Sequence, residues 1–386
     1  MIVGAVRAGM SQRKTAQRFG VALCTVQRWM ARADGNDLGR VDWSGRPRTP
    51  NRMPRRTGST VELAVRACRK RLRENSPLGF YGAEAIHEAL QHEHVVDSVP
   101  CVRTIGRILR RNGMLDGRRR IRRTPPPPGW YLADLALGHA EMEAFDVIEG
   151  LVIEDHGDVD VLTGRALWGS STMAWVTPKL TAKLTAEQLL TYWRANGLPD
   201  YAQFDNDTRF EGPHQHRDVV GRVARTCLSL GVTPVYVPPR ETGFQAAVES
   251  FNNIWQRKVW DRYHHNDVTA LRGCSDRFIS AYVRRLAPRG EQAPQRRPFP
   301  SGWRLNLQSG LTGRLVYLRR TDGNGAVFFL GRKFLVDRNW LHRLVRCEFH
   351  ILAGEIRCYR LRRREPDQQP LTKTIKHRLP QRRFRE

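Results

Sequence analysis

Three carboxylates occupy positions from which they could act together on a phosphodiester. Asp146 lies inside an apolar run, Asp205 directly follows the run Tyr201–Phe204, and Glu249 falls one turn into a long helical pattern. Phosphodiester cleavage needs an attacking oxygen opposite the leaving oxygen, and two Mg²⁺ (or Mn²⁺) ions about 4 Å apart can neutralise the charge on both. Such hard cations require oxygen ligands. The three carboxylates are therefore candidate metal ligands and candidate catalytic residues.

The helical pattern that carries Glu249 covers residues 244–260. Apolar residues recur there at helical spacing and form one stripe, and Glu249 shares the adjacent polar stripe with Asn253 and Gln256. We expect this helix to pack across a sheet and to direct Glu249 at the two aspartates. The apolar stripe consists of Val248, Phe251, Trp255 and Val259.

The surrounding region, residues 141–290, contains three strand patterns and then alternating helix and strand patterns. This order predicts a ribonuclease-H-like α/β fold, a mixed sheet flanked by helices, in which the fourth strand lies next to the first. Thr185 and Gly197 are expected to begin and end the first of these helices. The strand patterns are residues 144–153, 159–163, 166–176, 201–204 and 232–237, and the other helices are residues 219–230 and 244–260.

Several short segments resemble the catalytic core of insertion-sequence transposases of the retroviral-integrase (DDE) type. In that family an Asp-Asn pair ends a strand, and a Leu-Gly turn, a proline pair and a glutamate on a helix follow in that order. The resemblance makes Asp146, Asp205 and Glu249 the metal ligands. The matching segments are Phe204-Asp205-Asn206, Leu230-Gly231-Val232, Pro238-Pro239 and Ala247-Val248-Glu249-Ser250-Phe251-Asn252.

Three departures from the family pattern bear on the site. Asp207 stands where the family usually has glycine after the Asp-Asn pair. Asp205 and Glu249 enclose 43 residues rather than the common 35, which fits an insertion at residues 211–218. Glu241 has the 35-residue spacing but lies in the loop after Pro239, so we interpret it as a decoy. Rival first ligands are Glu149, Glu154, Asp155, Asp158 and Asp160.

The first 35 residues predict a helix-turn-helix unit. Ser11 can cap a first helix, Gly20 can supply the turn, and the small Ala16 lets a second helix cross closely. The second helix would place Thr25, Gln27 and Arg28 toward a DNA groove. A helical hairpin without DNA contacts is the alternative interpretation.

A second helical cluster, residues 60–123, is predicted as a further helix-turn-helix or winged-helix-like unit. Its helices cover residues 61–74, 82–91 and 102–112, and Gly113 closes the last one. The last helix has an apolar face and a basic face, and the chain beyond it is also basic, which favours phosphate contact. The basic residues are Arg103, Arg107, Arg110, Arg111, Arg118, Arg119, Arg120, Arg122 and Arg123, and on the catalytic helix Arg257 and Lys258 are further candidates for DNA contact.

The remaining segments predict linkers and one small β domain. Residues 36–59 are a basic linker, 124–140 a proline-rich linker that includes residues 125–128, and 291–312 a third linker. Five short strands within residues 313–364 predict a small SH3-like β barrel. Residues 365–386 are expected to form a basic, flexible tail. The predicted fold class is thus multidomain α+β: helix-turn-helix units, a ribonuclease-H-like core and a barrel.

Composition indicates the partner. The 386 residues include 65 Lys+Arg against 38 Asp+Glu, a net charge of +27, which favours a polyanion because arginine pairs with phosphate and releases its counterions. No apolar run has the length of a membrane span. The seven scattered cysteines form no C-x-x-C motif, which predicts neither a disulfide framework nor a zinc ribbon and fits a reducing cytoplasm.

The resemblance implies a DDE transposase or integrase that binds element ends and catalyses metal-dependent cleavage and strand transfer of double-stranded DNA. It also implies a homodimer or higher oligomer on DNA and a bacterial, nucleoid-associated enzyme. A different interpretation is a catalytically decayed transposase that acts as a sequence-specific DNA-binding regulator, for which Asp207 and the altered spacing leave room. A ribonuclease-H-type nuclease would explain the core but not the flanking DNA-binding units.

Overall fold

The computed structural model describes residues 1–44, 57–94, 96–115, 129–169, 171–213, 215–363, 365, 368–380 and 382–385. The chain divides into two compact units, Met1–Ser59 and Thr60–Glu386. The predicted proline spacer at 125–128, the arginines at 118–123 and the middle of the basic linker 36–59 lie outside the described residues.

The first unit contains the two helices that the sequence predicts for a helix-turn-helix, preceded by a further short helix. The Ser11 hydroxyl accepts the N–H of Lys14 at 3.4 Å, and Gly20 adopts a left-handed φ of 63° at the end of the helix. Ala16 and Val26 are buried between the helices. The predicted cap, turn and close crossing are confirmed. The helices are α1 (Ile2–Arg7), α2 (Gln12–Phe19) and α3 (Leu23–Arg32).

The second helical cluster also has its three predicted helices, which begin the second unit. They pack around a small apolar core in which Ile86, Ile105 and Ile108 are fully buried. The amphipathic pattern of the third helix therefore positions its arginines outward, because the opposite face is occupied by this core. The helices are α4 (Ser59–Asn75), α5 (Ala83–Glu93) and α6 (Val102–Arg111).

A mixed sheet forms the centre of the second unit. Its first five strands have the order β3-β2-β1-β4-β5, with β1 antiparallel to β2 and parallel to β4. The prediction of a mixed sheet with the fourth strand beside the first is confirmed. The strands are β1 (Met142–Ile153), β2 (Gly157–Ala166), β3 (Thr172–Thr177), β4 (Tyr201–Phe204) and β5 (Thr233–Tyr236).

Helices cover both faces of this sheet, because alternate residues of the strands are apolar on each side. Phe145 faces a cluster with Trp193, and Ile148 faces a second cluster with Trp255. The first face carries α8 (Ala182–Asn196) and α10 (Arg222–Ser229). The second carries α11 (Ala246–Trp255), which continues as the π-helix Gln256–Trp260, and α12 (Val268–Gly290). The short helices α7 (Ala133–Ala136) and α9 (Thr208–Glu211) lie in connections.

One predicted helix start is wrong by a single turn. The cap of α8 is Thr181, whose side chain accepts the N–H of Leu184 at 3.2 Å. Thr185 lies inside the helix and is fully buried, and its hydroxyl donates to the Thr181 carbonyl at 2.9 Å. Both threonines are chemically suited to cap, and only the packing of Thr185 in the core distinguishes them.

The C-terminal strands extend the central sheet, so the prediction of a separate barrel is wrong. β6 pairs in parallel with β5, Val316 opposite Val235, and β9, β10 and β11 follow in order. Five consecutive residues of β6 are buried, which is the pattern of a strand covered on both faces. β7 and β8 form a separate two-stranded sheet. The strands are β6 (Arg314–Arg320), β7 (Ala326–Phe329), β8 (Arg332–Leu335), β9 (Leu344–His350), β10 (Glu355–Arg360) and β11 (Leu371–Lys376).

Three predicted connecting segments pack onto the core instead. Trp130 and Tyr131, from the predicted linker 124–140, are buried beneath the sheet. Arg296, from the predicted linker 291–312, forms an ion pair at 2.7 Å with the fully buried Glu143. The predicted flexible tail contains β11, which pairs with β10. Among the described residues, the structure has no helix with the length and apolar character of a membrane span.

Candidate active site

Asp146 lies on β1, and Asp205 directly follows β4, the parallel strand beside it. The pairing of β1 with β4 ends with Ala144 opposite Gln203, and continuing this register by two residues places Asp146 beside Asp205. Adjacent strands are about 4.8 Å apart. Side chains alternate between the faces, so both carboxylates lie on the face opposite Phe145 and Phe204, which is the face that α11 covers.

Two amide side chains hold α11 against β1 and thereby position Glu249. Buried Gln245, the residue before the helix, donates to the Phe145 carbonyl at 3.1 Å, and Asn252 donates to Asp146 Oδ2 at 2.8 Å. Residues spaced by three and four share one side of a helix, so Glu249 projects between these two contacts. Its side chain is exposed. These two contacts hold the turn of α11 that carries Glu249 against β1.

The sequence interpretation missed Gln245 and Asn252. It placed Glu249 in a stripe with Asn253 and Gln256, whereas the residues that contact β1 are four before and three after Glu249. Asn253 is exposed and bonds only to its own helix, its side chain donating to the Glu249 carbonyl at 2.9 Å. Helical spacing counted in both directions from Glu249 would have found both residues. The apolar stripe of Val248, Phe251, Trp255 and Val259 is buried as predicted.

The negative charges of Asp205 and Glu249 act on Asp146. Burial, followed by these two charges, raises the pKa of Asp146 to about 6, and the hydrogen bonds from Val147 and Asn252 oppose the rise. Burial also raises the pKa of Asp205, opposed by the N–H of Asp207, which donates to Asp205 Oδ1 at 3.0 Å. Negative charges close to one another repel, and binding a proton relieves that repulsion. A metal cation placed among the same carboxylates would relieve it too, and would therefore be bound strongly.

Asp207, the last residue of the Asp-Asn-Asp segment, has a local structural role. Its carboxylate caps α9 by accepting the N–H of Arg209 at 2.7 Å and also binds the Arg209 side chain. Arg209 reaches Glu149 as well, at 2.7 Å. Arg209 therefore neutralises the carboxylates of Asp207 and Glu149 next to Asp205. Glu149 is one of the rival first ligands that the sequence left open.

Divalent cations fit this centre by donor chemistry, since its three carboxylates supply the oxygen ligands that Mg²⁺ prefers. The Asn252 Oδ1 atom beside them is buried and has no hydrogen-bond partner among the described residues. However, the described residues include no group of three His, Cys, Asp or Glu side chains already close enough to hold an ion. Cation binding therefore requires the carboxylates to approach one another from these positions. Glu241 pairs with Arg320, which lowers the pKa of Glu241, so it belongs to a different local charge group.

The predicted DNA-contacting residues of the two helical units differ in exposure. In α3, Gln27 and Arg28 are exposed and Thr25 is half-buried. In α6, four arginines are exposed, although the guanidinium of Arg111 is paired with Glu62. The other three arginines of α6, which have no ion pair with a described residue, are Arg103, Arg107 and Arg110.

Lys258 is used inside the protein, in contrast to its predicted contact with DNA. Its ammonium donates to the Gly79 carbonyl at 2.9 Å and lies over the rings of Phe80 and Tyr81. Lys258 thus fixes the loop between α4 and α5 on the π-helix that follows Glu249. Arg257 remains exposed, bonded only to the Asn253 carbonyl of its own helix.

Comparison with known proteins gives distant structural likenesses, and two of them are as follows. No protein-family model and no curated protein matches the chain. The chain is similar to the catalytic core domain of BIV integrase over 37% of its own length and 80% of that chain, with 16% identity and a TM-score of 0.25. It is similar to the simian T-cell lymphotropic virus intasome in complex with PP2A regulatory subunit B56 gamma over 70% of its length and 87% of that chain, with 14% identity and a TM-score of 0.31. Both TM-scores are low, so we draw no conclusion about fold or activity from these likenesses.

Proposed function

We propose that this chain is a DNA-cleaving and DNA-joining enzyme of the DDE transposase or integrase type, built on a ribonuclease-H-like core. The observation that supports the proposal is the set of elements that carry Asp146, Asp205 and Glu249. The first two come from adjacent parallel strands, and the third comes from a helix fixed to the first strand. Three carboxylates from separate elements are what a two-metal phosphoryl-transfer site requires.

The three carboxylates are the proposed ligands for Mg²⁺ or Mn²⁺. When bound, two such ions would lower the barrier by stabilising the attacking and leaving oxygens. Asn252 orients Asp146 through its amide, and Arg209 keeps Asp207 and Glu149 paired, so that neither competes as an additional ligand. Because the chain's own residues hold ions rather than attack, no covalent protein–DNA link forms. In the proposed reaction, water first hydrolyses a phosphodiester at an element end and leaves a free 3′ hydroxyl. That hydroxyl then attacks a target phosphodiester, forming a new P–O bond while the target's own 3′ oxygen leaves as a hydroxyl.

Exposed basic residues of both helical units support DNA as the substrate. Arg103, Arg107 and Arg110 lie on the outer face of α6, opposite its buried face, where they can contact phosphates. In α3, Gln27 and Arg28 are the exposed candidates for base contacts. If each catalytic centre processes one DNA end, joining two ends requires two copies of the chain, and therefore at least a homodimer on DNA.

The proposal is tested by incubating supercoiled plasmid and labelled linear DNA with the full chain and Mn²⁺ or Mg²⁺. We expect nicking and strand transfer by the wild type, loss of both in Asp205→Asn and Glu249→Gln, and retention in the matched control Glu241→Gln. All variants are expected to bind DNA. Binding without metal-dependent cleavage by any form would overturn the catalytic assignment and favour the DNA-binding regulator. Cleavage without joining would favour the ribonuclease-H-type nuclease.

A further inference from the structure

A concave pocket with arginine and tryptophan walls lies beside the loop that leads into α11. Its volume is about 440 Å³, and Trp130, Arg320, Trp340, Arg343 and Arg363 are among the residues that line it. We propose that this pocket, the Trp130–Trp340 pocket, binds nucleotides of a single DNA strand next to the catalytic centre. The inference rests on the proposed function and extends it to a second DNA-binding site.

The position of the Trp130–Trp340 pocket connects it to the catalytic carboxylates. The Trp130 ring contacts the Phe244 ring at a centroid distance of 5.8 Å, and Phe244 precedes Gln245, which is bonded to β1. On another wall, Arg320 pairs with Glu241 of the same loop. A strand held in the pocket therefore lies against the segment that places Glu249.

Arg343 is the cation in this pocket that is best arranged for a phosphate. Its exposed guanidinium lies over the Trp340 ring at 5.8 Å and makes no hydrogen bond or ion pair with any described residue. The ring is fixed by its own N–H, which donates to the Leu344 carbonyl at 3.1 Å. A guanidinium held on an aromatic face keeps its donors directed outward and loses little side-chain entropy on binding an anion.

The other charges of the pocket are largely compensated, which makes Arg343 and Arg363 the available cations among the described residues. Arg320 is paired with Glu241, and Arg362 forms an ion pair with Glu365 at 3.0 Å. The acidic Glu365 in the wall is therefore neutralised locally. Two accessible arginines give the pocket a net attraction for a phosphodiester.

The shape and the apolar floor favour a single strand over a duplex. Leu344 and Leu361 join Trp130 in the floor and pack in the cluster beneath the sheet. Single-stranded DNA binds proteins through basic grooves combined with aromatic surfaces, because unpaired nucleotides can enter concave sites that a duplex cannot. A pocket that combines arginines with the half-exposed ring of Trp340 matches this chemistry without requiring a particular base sequence.

The test measures equilibrium binding of a mixed-sequence single-stranded oligonucleotide to the full chain, in the presence of a chelator and at several salt concentrations. Arg343→Gln removes one phosphate contact, so we expect severalfold weaker binding. The slope of log K against log salt concentration should also become shallower by about 0.7. Arg338→Gln, another exposed arginine of the same connection but outside the pocket, serves as the matched control. It is expected to bind like the wild type.

Two results would overturn the pocket assignment. One is wild-type affinity and slope in Arg343→Gln, and the other is an equal loss in Arg338→Gln, which would reflect overall charge alone. Circular dichroism and a melting curve check that Arg343→Gln is folded. The chelator removes divalent metal ions and the assay measures no cleavage, so failure of the proposed catalysis would leave its outcome unchanged. Failure of the pocket assignment would leave nicking by the wild type unchanged.

Discussion

The side-chain amide of Asn252 donates a hydrogen bond of 2.8 Å to Asp146 Oδ2 and so connects the helix of Glu249 to the strand of Asp146. Loss of this bond frees the Asp146 carboxylate to rotate. We expect Asn252→Ala to cleave DNA at least tenfold more slowly, roughly the loss produced by one misplaced catalytic group, with unchanged DNA affinity. Asn253→Ala is the control, because its exposed amide bonds only within the helix. Equal activity of the two variants would contradict the positioning role.

The raised pKa of Asp146 predicts a pH-dependent effect on stability. A carboxyl whose pKa is about 6 when folded and 3.8 when unfolded holds its proton more tightly in the folded chain. Its contribution therefore favours folding below about pH 4 and is lost as the pH rises through 6. Asp146→Asn cannot ionise, so relative to wild type it should gain unfolding free energy of up to about 3 kcal/mol above pH 6 and little at pH 4. Urea unfolding with a chelator at both pH values measures this; a difference that does not vary with pH would refute it.

Lys258 and Arg257, neighbours on the π-helix, are expected to have separable effects. Lys258→Ala loses the bond to the Gly79 carbonyl and the contact with two rings, which should cost about 1–2 kcal/mol of unfolding free energy. Arg257→Ala removes an exposed charge, and we expect weaker DNA binding at nearly unchanged stability. Thermal melting and salt-dependent DNA binding distinguish them. Reversed effects would show that Lys258, not Arg257, contacts DNA.

Asp207 is expected to be dispensable for chemistry despite its place beside Asp205. Asp207→Asn keeps an oxygen that can cap α9 and loses only the charge paired with Arg209. We therefore expect cleavage within a few-fold of wild type and a stability loss of about 1 kcal/mol or less. Asp205→Asn in the same assay should be inactive. A comparable loss of cleavage in both variants would make Asp207 a further ligand of the site.

Patterns local in sequence predicted most of the core, including the Glu249 helix, because burial at helical or alternating spacing is visible in the residues themselves. The partners Gln245 and Asn252 were missed because their contacts depend on how the helix rotates on the sheet. Lys258 was predicted to contact DNA because the sequence shows only its charge. Its actual partner, the Gly79 carbonyl, is distant in the sequence and cannot be recognised there.

The C-terminal strands were located but wrongly grouped into a barrel. The pairing of β6 with β5 joins Val316 to Val235 across 81 residues, and no local signal specifies such a partner. The run of buried residues in β6 was the available indication that this strand is covered on both faces, since a strand of a small barrel has one face outward. Strand β11 was missed because four of its six residues are threonine or lysine, a polar composition that an edge strand tolerates.

The most direct test of the central claim is Mn²⁺ binding to the full chain, followed by electron paramagnetic resonance in the absence of DNA. If Asp146, Asp205 and Glu249 form one centre, wild type and Glu241→Gln will bind Mn²⁺ alike, and Asp146→Asn, Asp205→Asn and Glu249→Gln will each bind it much more weakly. Mn²⁺ binding that is the same in wild type and in the variant with all three carboxylates replaced would contradict the account.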